Sequence, residues 1–235
     1  NNAKLMVSFG GFPTGNSQIS NGGVSDHIQV DYLRQALSKG ISLISIAPRQ
    51  SIVDKTEQIE WIKARPNSDT ALILGICHTL LKESLHNINF LKKFTVGYEK
   101  FFQYLTGQSD GVVKNAVWAE QLSGVSSYEI RSLARKMATT PTMISITWSL
   151  TRQENGEQAY WAVIALAAML GQMGKPGLGV GFGYTVSNYL GNNVRRLPFE
   201  ALPQGKNKVD NFIPVARLTD MLLNPGKSYD FNGEK

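Results

Sequence analysis

Cysteine is nearly absent from the chain, and its scarcity excludes two kinds of stabilised structure. Cys77 is the single cysteine among the 235 residues. A disulfide within the chain needs a second cysteine, and a thiolate metal cage needs several. The three histidines, His27, His78 and His86, have neither zinc-finger nor His-Glu-x-x-His spacing. The sequence therefore predicts neither a disulfide framework nor a metal site built by protein side chains.

Long apolar runs and clusters of basic residues are also missing. No apolar run reaches the ~18 residues that suggest a membrane-spanning helix, and no signal peptide is visible. Lys and Arg are spread along the chain and no RNA-binding motif is present, so we expect no nucleic-acid partner. The net charge of +6 and the pI of about 9.4 still favour an anionic partner. A ligand that carries phosphate fits both observations.

The composition is that of a folded protein, with 42% hydrophobic and 18% charged residues. The length suits one large domain or two small ones. Because the chain starts one step before a predicted strand and stops among polar residues, we expect it to be an internal piece of a longer protein. A missing export signal then says nothing about the whole protein.

The N-terminal part alternates between strand and helix patterns. Residues 4–9 form a short apolar run that ends at a glycine pair, and residues 41–46 form a second run. Between them, a loop rich in Gly, Ser and Asn over residues 12–26 precedes a helical pattern that stops at Gly40. The order strand, helix, strand predicts a parallel pair. We therefore predict an α/β fold, a dinucleotide-binding (Rossmann-like) domain whose parallel sheet is flanked by helices.

The remaining patterns predict two more strands and several helices. The strands are residues 60–63 and, as the last strand of the sheet, residues 142–147. The helices are predicted at residues 69–81, 88–94, 98–105, 116–122, 128–137 and 159–173, with a final amphipathic helix at residues 212–223.

These elements suggest two regions. We expect residues 1–184 to form the dinucleotide-binding domain, interrupted by a helical insertion at about residues 69–138. Residues 185–235 are expected to form an irregular segment and a helix that lead out to the rest of the protein.

Candidate ligand-binding residues follow the predicted strands, because open α/β sheets bind ligands at the carboxyl ends of their strands. Gly10 and Gly11 end the first strand, where glycine lets backbone N–H groups approach a phosphate. A plain turn explains them equally well, because no GxGxxG motif follows. Pro48, Arg49 and Ser51 follow the second strand, and Arg49 either pairs with a phosphate or is a solvated surface residue.

Two positions bear on which nucleotide is bound. Ala47 stands where a dinucleotide site often holds an acid for the ribose hydroxyls, which argues against an ordinary nicotinamide dehydrogenase. Ser68 and Asp69 both suit the N-cap of the next helix. A carboxylate at position 69 also suits the two adjacent donors of a guanine edge, but the cap is the simpler interpretation from spacing alone.

The stretch TWSLTRQENGEQAYW, residues 147–161, places an indole, a guanidinium and a carboxylate between a strand and a helix. Trp148 is either a core residue or the wall of a site, and Glu157 suits the positive end of the helix dipole. An unpaired guanidinium on Arg152 at the end of a buried strand would be costly. We therefore expect Arg152 to pair with Glu154 or Glu157, or else with a ligand.

Three blocks of the sequence resemble one family of molybdenum enzymes, those related to dimethyl sulfoxide, trimethylamine N-oxide and biotin sulfoxide reductases. The blocks are RPNSDTALILGICHTLLKESLHNINFLKKFTVGYEKFFQYLTGQSDG at residues 65–111, WSLTRQENGEQAYWAVIALAAMLGQMGKPGLGVGFGY at residues 148–184, and FIPVARLTDMLLNPG at residues 212–226. Together they cover much of the chain and are highly specific.

The resemblance implies a molybdenum atom held by two molybdopterin guanine dinucleotides, and the transfer of an oxygen atom from an S-oxide or N-oxide to that metal. The oxide would be biotin sulfoxide, methionine sulfoxide or trimethylamine N-oxide. The family's metal ligand is a serine upstream of this chain, so no serine here is assigned to the metal. Electrons would come from a cytochrome, a thioredoxin-like protein or a flavin reductase. The periplasm is the expected compartment, with the cytoplasm as the alternative.

The resemblance also implies roles for individual residues. The glycine pair matches a turn near the pyrophosphate, with Phe12 in place of the usual Asn, and Ala47 replaces the acid of an Asp-Pro-Arg turn. Guanine recognition becomes the favoured role of Asp69. Trp148 and Arg152 match residues that line the substrate funnel and are the catalytic candidates. The cofactor-binding candidates are Gly10, Gly11, Pro48, Arg49, Ser51, Asp69, Gly156, Glu157 and Gln158.

Two other functions remain as alternatives. One is a nicotinamide-dependent dehydrogenase, which Ala47 and the missing GxGxxG motif disfavour. The other is a nucleotide-binding domain without turnover of its own, since we expect this part of the protein to be inactive alone.

Overall fold

A computed structural model of the chain describes residues 2–14, 29–182, 200, 202–203, 205–206, 208 and 212–228. The chain divides into two compact units, Asn1–Val194 and Arg195–Lys235. The predicted loop at residues 12–26 and the predicted irregular segment after residue 184 lie mostly outside the described residues.

The first unit is built on a parallel sheet, as the sequence predicted. Its strands are β1 (Leu5–Phe9), β2 (Ser42–Ala47), β3 (Glu60–Lys63), β4 (Thr142–Ile146) and β5 (Gly179–Phe182). They lie in the order β3-β2-β1-β4-β5, and each neighbouring pair is parallel. This is the order of a dinucleotide-binding sheet, in which the chain crosses from one side of β1 to the other before β4.

Helices cover both faces of the sheet. The helices are α1 (Gln29–Ser38), α2 (Ile52–Thr56), α3 (Asp69–Lys82), α4 (Ile88–Phe94), α5 (Tyr98–Leu105), α6 (Ala116–Ser123), α7 (Ser127–Thr139) and α8 (Glu157–Leu170). One core joins alternate residues of β1, β2 and β4 to α3 and α8, and a smaller core under α1 and α2 contains Phe12, Leu33 and Val53. Burial on two faces explains why the strands are continuous apolar runs.

Helices α3 to α7 lie between β3 and β4 in the chain, and α3 packs against α6, α7 and α8. α3 and α6 approach each other closely at Gly75, where an added Cβ atom would lie 2.6 Å from Cβ of Ala119. Side chains of Asn87, Asn115 and Ser126 cap three of these helices by accepting backbone N–H bonds. Such caps satisfy donors that a helix leaves free at its first turn.

The structure corrects three predictions. Residues 142–147 were expected to form the last strand, but β5 follows within the glycine-rich stretch, where low strand propensity hides it. The short helix α2 was not predicted. The final helix is shorter than residues 212–223: a 3₁₀ turn at Val215–Arg217 leads into α9 (Leu218–Leu223) in the second unit.

The apolar side chains of α9 are not buried, and Leu222 and Leu223 are about three-quarters exposed. None of the helices in the described ranges has the length and hydrophobicity needed to cross a membrane.

Candidate functional site

A crevice of about 310 Å³ lies at the carboxyl edge of the sheet, across the ends of β1, β2, β3 and β4. This is where the strand order reverses, the usual ligand position in open α/β sheets. The crevice is lined by Gly10, Gly11, Phe12, Pro13, Ala47, Pro48, Arg49, Ser51, Asp54, Pro66, Asn67, Asp69, Ser149, Leu150 and Gln153. Six of the predicted cofactor-binding residues are therefore brought together.

The glycine pair forms the turn that leaves β1. Gly10 and Gly11 have φ angles of +88° and +74°, and a Cβ atom on Gly10 would lie 1.8 Å from Oγ1 of Thr147. Their N–H groups donate to backbone carbonyls, from Gly10 to Ile46 at 2.9 Å and from Gly11 to Ser8 at 3.3 Å. An added Cβ atom on either glycine would meet neighbouring side chains of the protein, so the turn itself requires glycine. The N–H groups that were expected to approach a phosphate already donate to backbone carbonyls.

The turn after β2 combines an exposed cation with a buried carboxylate. Pro48 and Arg49 are exposed, and Arg49 has no ion pair within the described ranges. Ser51 is the N-cap of α2, and its hydroxyl accepts from the Asp54 N–H at 3.2 Å. Asp54 Oδ2 in return accepts from the Ser51 N–H at 2.8 Å and from the Ser45 hydroxyl at 3.1 Å.

Asp69 occupies the first turn of α3 and is only 6% exposed. Of the two N-caps that the sequence offered, the structure has Ser68 and not Asp69. The Ser68 hydroxyl does not cap the helix but donates to the Arg65 carbonyl at 2.6 Å. Burial raises the pKa of Asp69 to about 6, although its own backbone N–H and a hydrogen bond from Gln153 act in the opposite direction. The crevice therefore contains a poorly hydrated carboxylate.

Trp148 and Arg152 lie outside the crevice lining. Trp148 begins a 3₁₀ turn, Trp148–Thr151, and its ring lies 5.7 Å from the ring of Phe182 on β5. Arg152 is exposed. The expectation that its guanidinium is buried and therefore needs an acceptor is wrong. Within the described part of the chain it forms no ion pair with Glu154 or Glu157.

The Gly-Glu-Gln triplet also lies apart from the crevice. Gly156 is buried, and a Cβ atom there would lie 2.4 Å from the Leu150 carbonyl oxygen, so the turn itself requires glycine. Glu157 is the first residue of α8, where a carboxylate suits the helix dipole. Gln158 lines a different cavity, between α3, α5 and α8.

Several lining residues were not predicted, chiefly Asp54, Asn67 and Gln153. The Ser-x-x-Asp spacing of residues 51–54 is that of a capping box, which could have predicted α2 but not a place for Asp54 in the crevice. Asn67 has a φ angle of +60°, which the sequence does not reveal.

No group of three or more His, Cys, Asp or Glu side chains that could hold a metal occurs in the described ranges. Cys77 is fully buried, and this burial raises the pKa of its thiol well above the ordinary range. The described crevice thus offers an organic ligand two carboxylates, Asp54 and Asp69, and one guanidinium, Arg49.

Residues 2–229 match the family model of the molybdopterin oxidoreductases. The chain belongs to this family. The molybdopterin oxidoreductases carry a molybdenum–molybdopterin cofactor, which fits the chemistry of a crevice lined by the buried Asp69 and the exposed Arg49.

Curated members of the molybdopterin oxidoreductases are similar along almost the whole chain. The biotin sulfoxide reductase of Cereibacter sphaeroides is 37% identical over 232 residues, which are 99% of this chain and 31% of that protein. The trimethylamine-N-oxide reductase of Haemophilus influenzae is 37% identical over 89% of this chain and 27% of that protein. The chain therefore spans less than a third of the length of these relatives.

A solved structure of another enzyme has a related fold. Acetylene hydratase from Pelobacter acetylenicus matches 75% of this chain and 22% of its own, with a TM-score of 0.60 and 26% identity. Its name describes a hydration and not the reduction of an oxide, so the fold alone does not fix the reaction.

Proposed function

We propose that the whole protein is a molybdenum oxotransferase that reduces an S-oxide or an N-oxide. Relatives that match 89% or more of this chain are named as reductases of biotin sulfoxide, dimethyl sulfoxide and trimethylamine N-oxide. The oxide of this protein would be biotin sulfoxide, methionine sulfoxide or trimethylamine N-oxide. A cytochrome, a thioredoxin-like protein or a flavin reductase would supply the electrons.

Within that protein, the crevice holds the guanosine end of one of two molybdopterin guanine dinucleotides. The observation that carries this proposal is the buried carboxylate of Asp69 at the carboxyl edge of the sheet. Guanine presents two adjacent donors, its N1–H and its 2-amino group, and an ionised carboxylate accepts from both. Adenine presents an acceptor at N1 and no 2-amino group, so the same carboxylate disfavours it.

The other lining residues fit the remainder of such a nucleotide. Gly10 and Gly11 line the same crevice. The exposed guanidinium of Arg49 forms no ion pair with a carboxylate within the described ranges. A guanidinium binds phosphate oxygens in a bidentate manner. Pyrophosphate near Arg49 and guanine near Asp69 would therefore use the two ends of one crevice.

The bound cofactor supplies the oxygen-atom transfer, and the chain supplies binding and orientation. Trp148 and Arg152 are the side chains proposed to face the oxide. Trp148 is 41% exposed and its ring rests near Phe182, so an apolar surface stays available. Arg152 is exposed and has free donors for a polar oxygen, because it forms no ion pair among the described residues.

Nucleotide binding to the whole protein, produced without its cofactor, tests the guanine assignment. We expect guanosine diphosphate to bind about tenfold more tightly than inosine diphosphate, which lacks the 2-amino donor, and more tightly still than adenosine diphosphate. Asp69→Asn should weaken binding of the guanosine nucleotide by about 2–3 kcal/mol, because an amide cannot accept both bonds.

Glu129→Gln is a suitable control for this experiment, since Glu129 lies in the capping box of α7 and not in the crevice. Equal affinities for the guanosine and adenosine nucleotides, unchanged in Asp69→Asn, would refute the assignment.

A further inference from the structure

Asp54 is a buried carboxylate that the predicted binding residues did not include. It lies in the first turn of α2, is 1% exposed and lines the crevice. Its Oδ2 atom accepts both of its hydrogen bonds, from the Ser51 N–H and the Ser45 hydroxyl. Its Oδ1 atom is buried and finds no hydrogen-bond partner in the described part of the chain. Buried carboxylate oxygens normally have partners, so this one requires an explanation.

Capping of α2 explains only half of this carboxylate. The capping box uses the Oδ2 atom and the backbone N–H of Asp54, together with the hydroxyl and N–H of Ser51. Helix capping therefore does not explain why Oδ1 is buried without a hydrogen-bond partner in the described part of the chain. The Ser45 hydroxyl on β2 also donates to Oδ2, so two hydrogen bonds from two different elements orient the carboxylate.

The neighbouring residue Ala47 indicates what the free oxygen accepts. Dinucleotide-binding sheets often place an acid at the end of the second strand, where it accepts hydrogen bonds from ribose hydroxyls. Here that strand ends at Ala47, whose methyl group cannot accept. Ala47 and Asp54 line the same crevice. A carboxylate from the start of α2 is therefore available where the strand itself provides none.

We propose that Asp54 holds the ribose of the bound nucleotide, with Oδ1 accepting from its hydroxyls in place of the missing acid at position 47. This proposal rests on the proposed function of the crevice as a nucleotide site. Ribose hydroxyls are donors, and a charged acceptor makes such bonds stronger than a neutral one. Asp69 would then select the base while Asp54 selects the sugar.

The test compares guanosine 5′-diphosphate with its 2′,3′-dideoxy analogue on the whole protein produced without cofactor. Calorimetry of the unaltered protein should show about tenfold tighter binding of the ribonucleotide, the effect of one charge-assisted hydrogen bond. In Asp54→Asn this ratio should fall to about twofold or less, because the amide at Oδ1 donates where an acceptor is needed.

Two further variants separate this role from helix capping. Asp54→Ser keeps a hydroxyl acceptor near the Ser51 N–H but removes Oδ1, so its ratio should fall as in Asp54→Asn. Glu129→Gln alters the matching capping box of α7, away from the crevice, and should keep the tenfold ratio. A variant that loses stability alone would bind both nucleotides less well but would leave their ratio unchanged.

The outcomes distinguish the two proposals. If the protein prefers the ribonucleotide and every folded Asp54 variant keeps that preference, Asp54 does not hold the ribose, while the nucleotide site stands. If the unaltered protein binds guanosine diphosphate without any ribose preference, the role of Asp54 is also refuted. If it binds neither guanosine nucleotide, both proposals fail together.

Discussion

At the scale of single residues, the main feature of the crevice is the buried carboxylate of Asp69. The side chain is 6% exposed, and burial raises its pKa to about 6 from an ordinary value of 3.8. Since the native carboxyl binds its proton more tightly than the unfolded one, its contribution to stability is lost as pH rises through this range. Because burial disfavours the ionised form of Asp69, a ligand that donates two hydrogen bonds to the carboxylate would stabilise that form.

This shift predicts a pH dependence of nucleotide binding. A protonated Asp69 offers one donor and cannot accept from both guanine donors, so only the ionised form binds guanine well. We expect the affinity for guanosine diphosphate to be constant above pH 7 and to fall below about pH 6, approaching tenfold per pH unit. Calorimetric titrations between about pH 5 and about pH 8 measure this dependence, because the range extends on both sides of the pKa of Asp69.

Adenosine diphosphate and the Asp69→Asn variant serve as the controls for this titration. Both should lack the decline, because neither pairs a guanine edge with a titrating carboxylate at position 69. A decline of equal size in the variant would assign the effect to another group.

Arg152 gives a second prediction at this scale. Because the side chain is exposed and unpaired among the described residues, Arg152→Gln should leave the melting temperature and the molybdenum content of the whole protein unchanged. Oxide turnover should fall by about tenfold to a hundredfold, the effect of one charged hydrogen bond. The loss should differ between oxides if the residue contacts the substrate.

Steady-state kinetics on several oxides, beside a melting curve and a metal assay, provide the measurement. Unchanged kinetics with a lower melting temperature would make Arg152 a structural residue instead. Lys100 on α5 is a matched control, because it is exposed and forms no ion pair among the described residues; its change to Gln should leave turnover intact.

The sequence indicated some of the residues in the crevice but not their arrangement. Strand ends and the family resemblance pointed to Gly10, Arg49 and Asp69, all of which line it. Asp54 was missed because its importance depends on a carboxylate oxygen left unpaired after folding, which no spacing reveals. For Gly156, packing against the Leu150 carbonyl offers a reason for glycine that the motif alone did not provide.

At the scale of elements, the predictions succeeded where the spacing of apolar residues and the length of the segment indicated the same kind of element. The predicted bounds of α4 and α5 are those observed, and both helices have several apolar residues at helical spacing. Strand β5 was missed because Gly179 and Gly181 make up half of its residues and give no strand signal. It forms because β4 supplies a parallel edge for it, which is tertiary information.

The α3–α6 contact gives a prediction about packing. Gly75→Ala would place a Cβ atom 2.6 Å from that of Ala119, so the helices would have to move apart. Overpacking costs about 1–3 kcal/mol, which exceeds the gain of up to ~1 kcal/mol in helix propensity. We expect a net loss of stability, measured as a lower melting temperature.

A double-mutant cycle provides the control for this contact. Ala119→Gly alone should destabilise α6 slightly, but in combination with Gly75→Ala it should restore most of the lost stability, because it removes the opposing methyl group. Strict additivity of the two changes would show that the two helices do not limit each other at this point.

At the scale of the whole molecule, the chain spans less than a third of the length of its relatives. It spans 31% of the biotin sulfoxide reductase and 27% of the trimethylamine-N-oxide reductase to which it is similar. The family resemblance implies that the serine ligand of the metal lies in a segment upstream of residues 1–235. We therefore expect residues 1–235, produced alone, to hold no stoichiometric molybdenum and to reduce no oxide.

Metal analysis and an assay with a reduced dye check this prediction. Molybdenum at one atom per chain, or turnover above that of an unrelated protein, would contradict the expectation that the metal ligand lies outside residues 1–235. Guanosine diphosphate binding by the same material is compatible with it, because the crevice lies wholly within the first unit.

The most direct test is a crystal structure of the whole protein with its cofactor bound. We predict that a guanine ring occupies the crevice at the carboxyl edge of the sheet, with its N1 and 2-amino nitrogens within about 3 Å of the Asp69 carboxylate. A cofactor whose guanine lies elsewhere, with Asp69 contacting only protein or water, would contradict the assignment of this crevice.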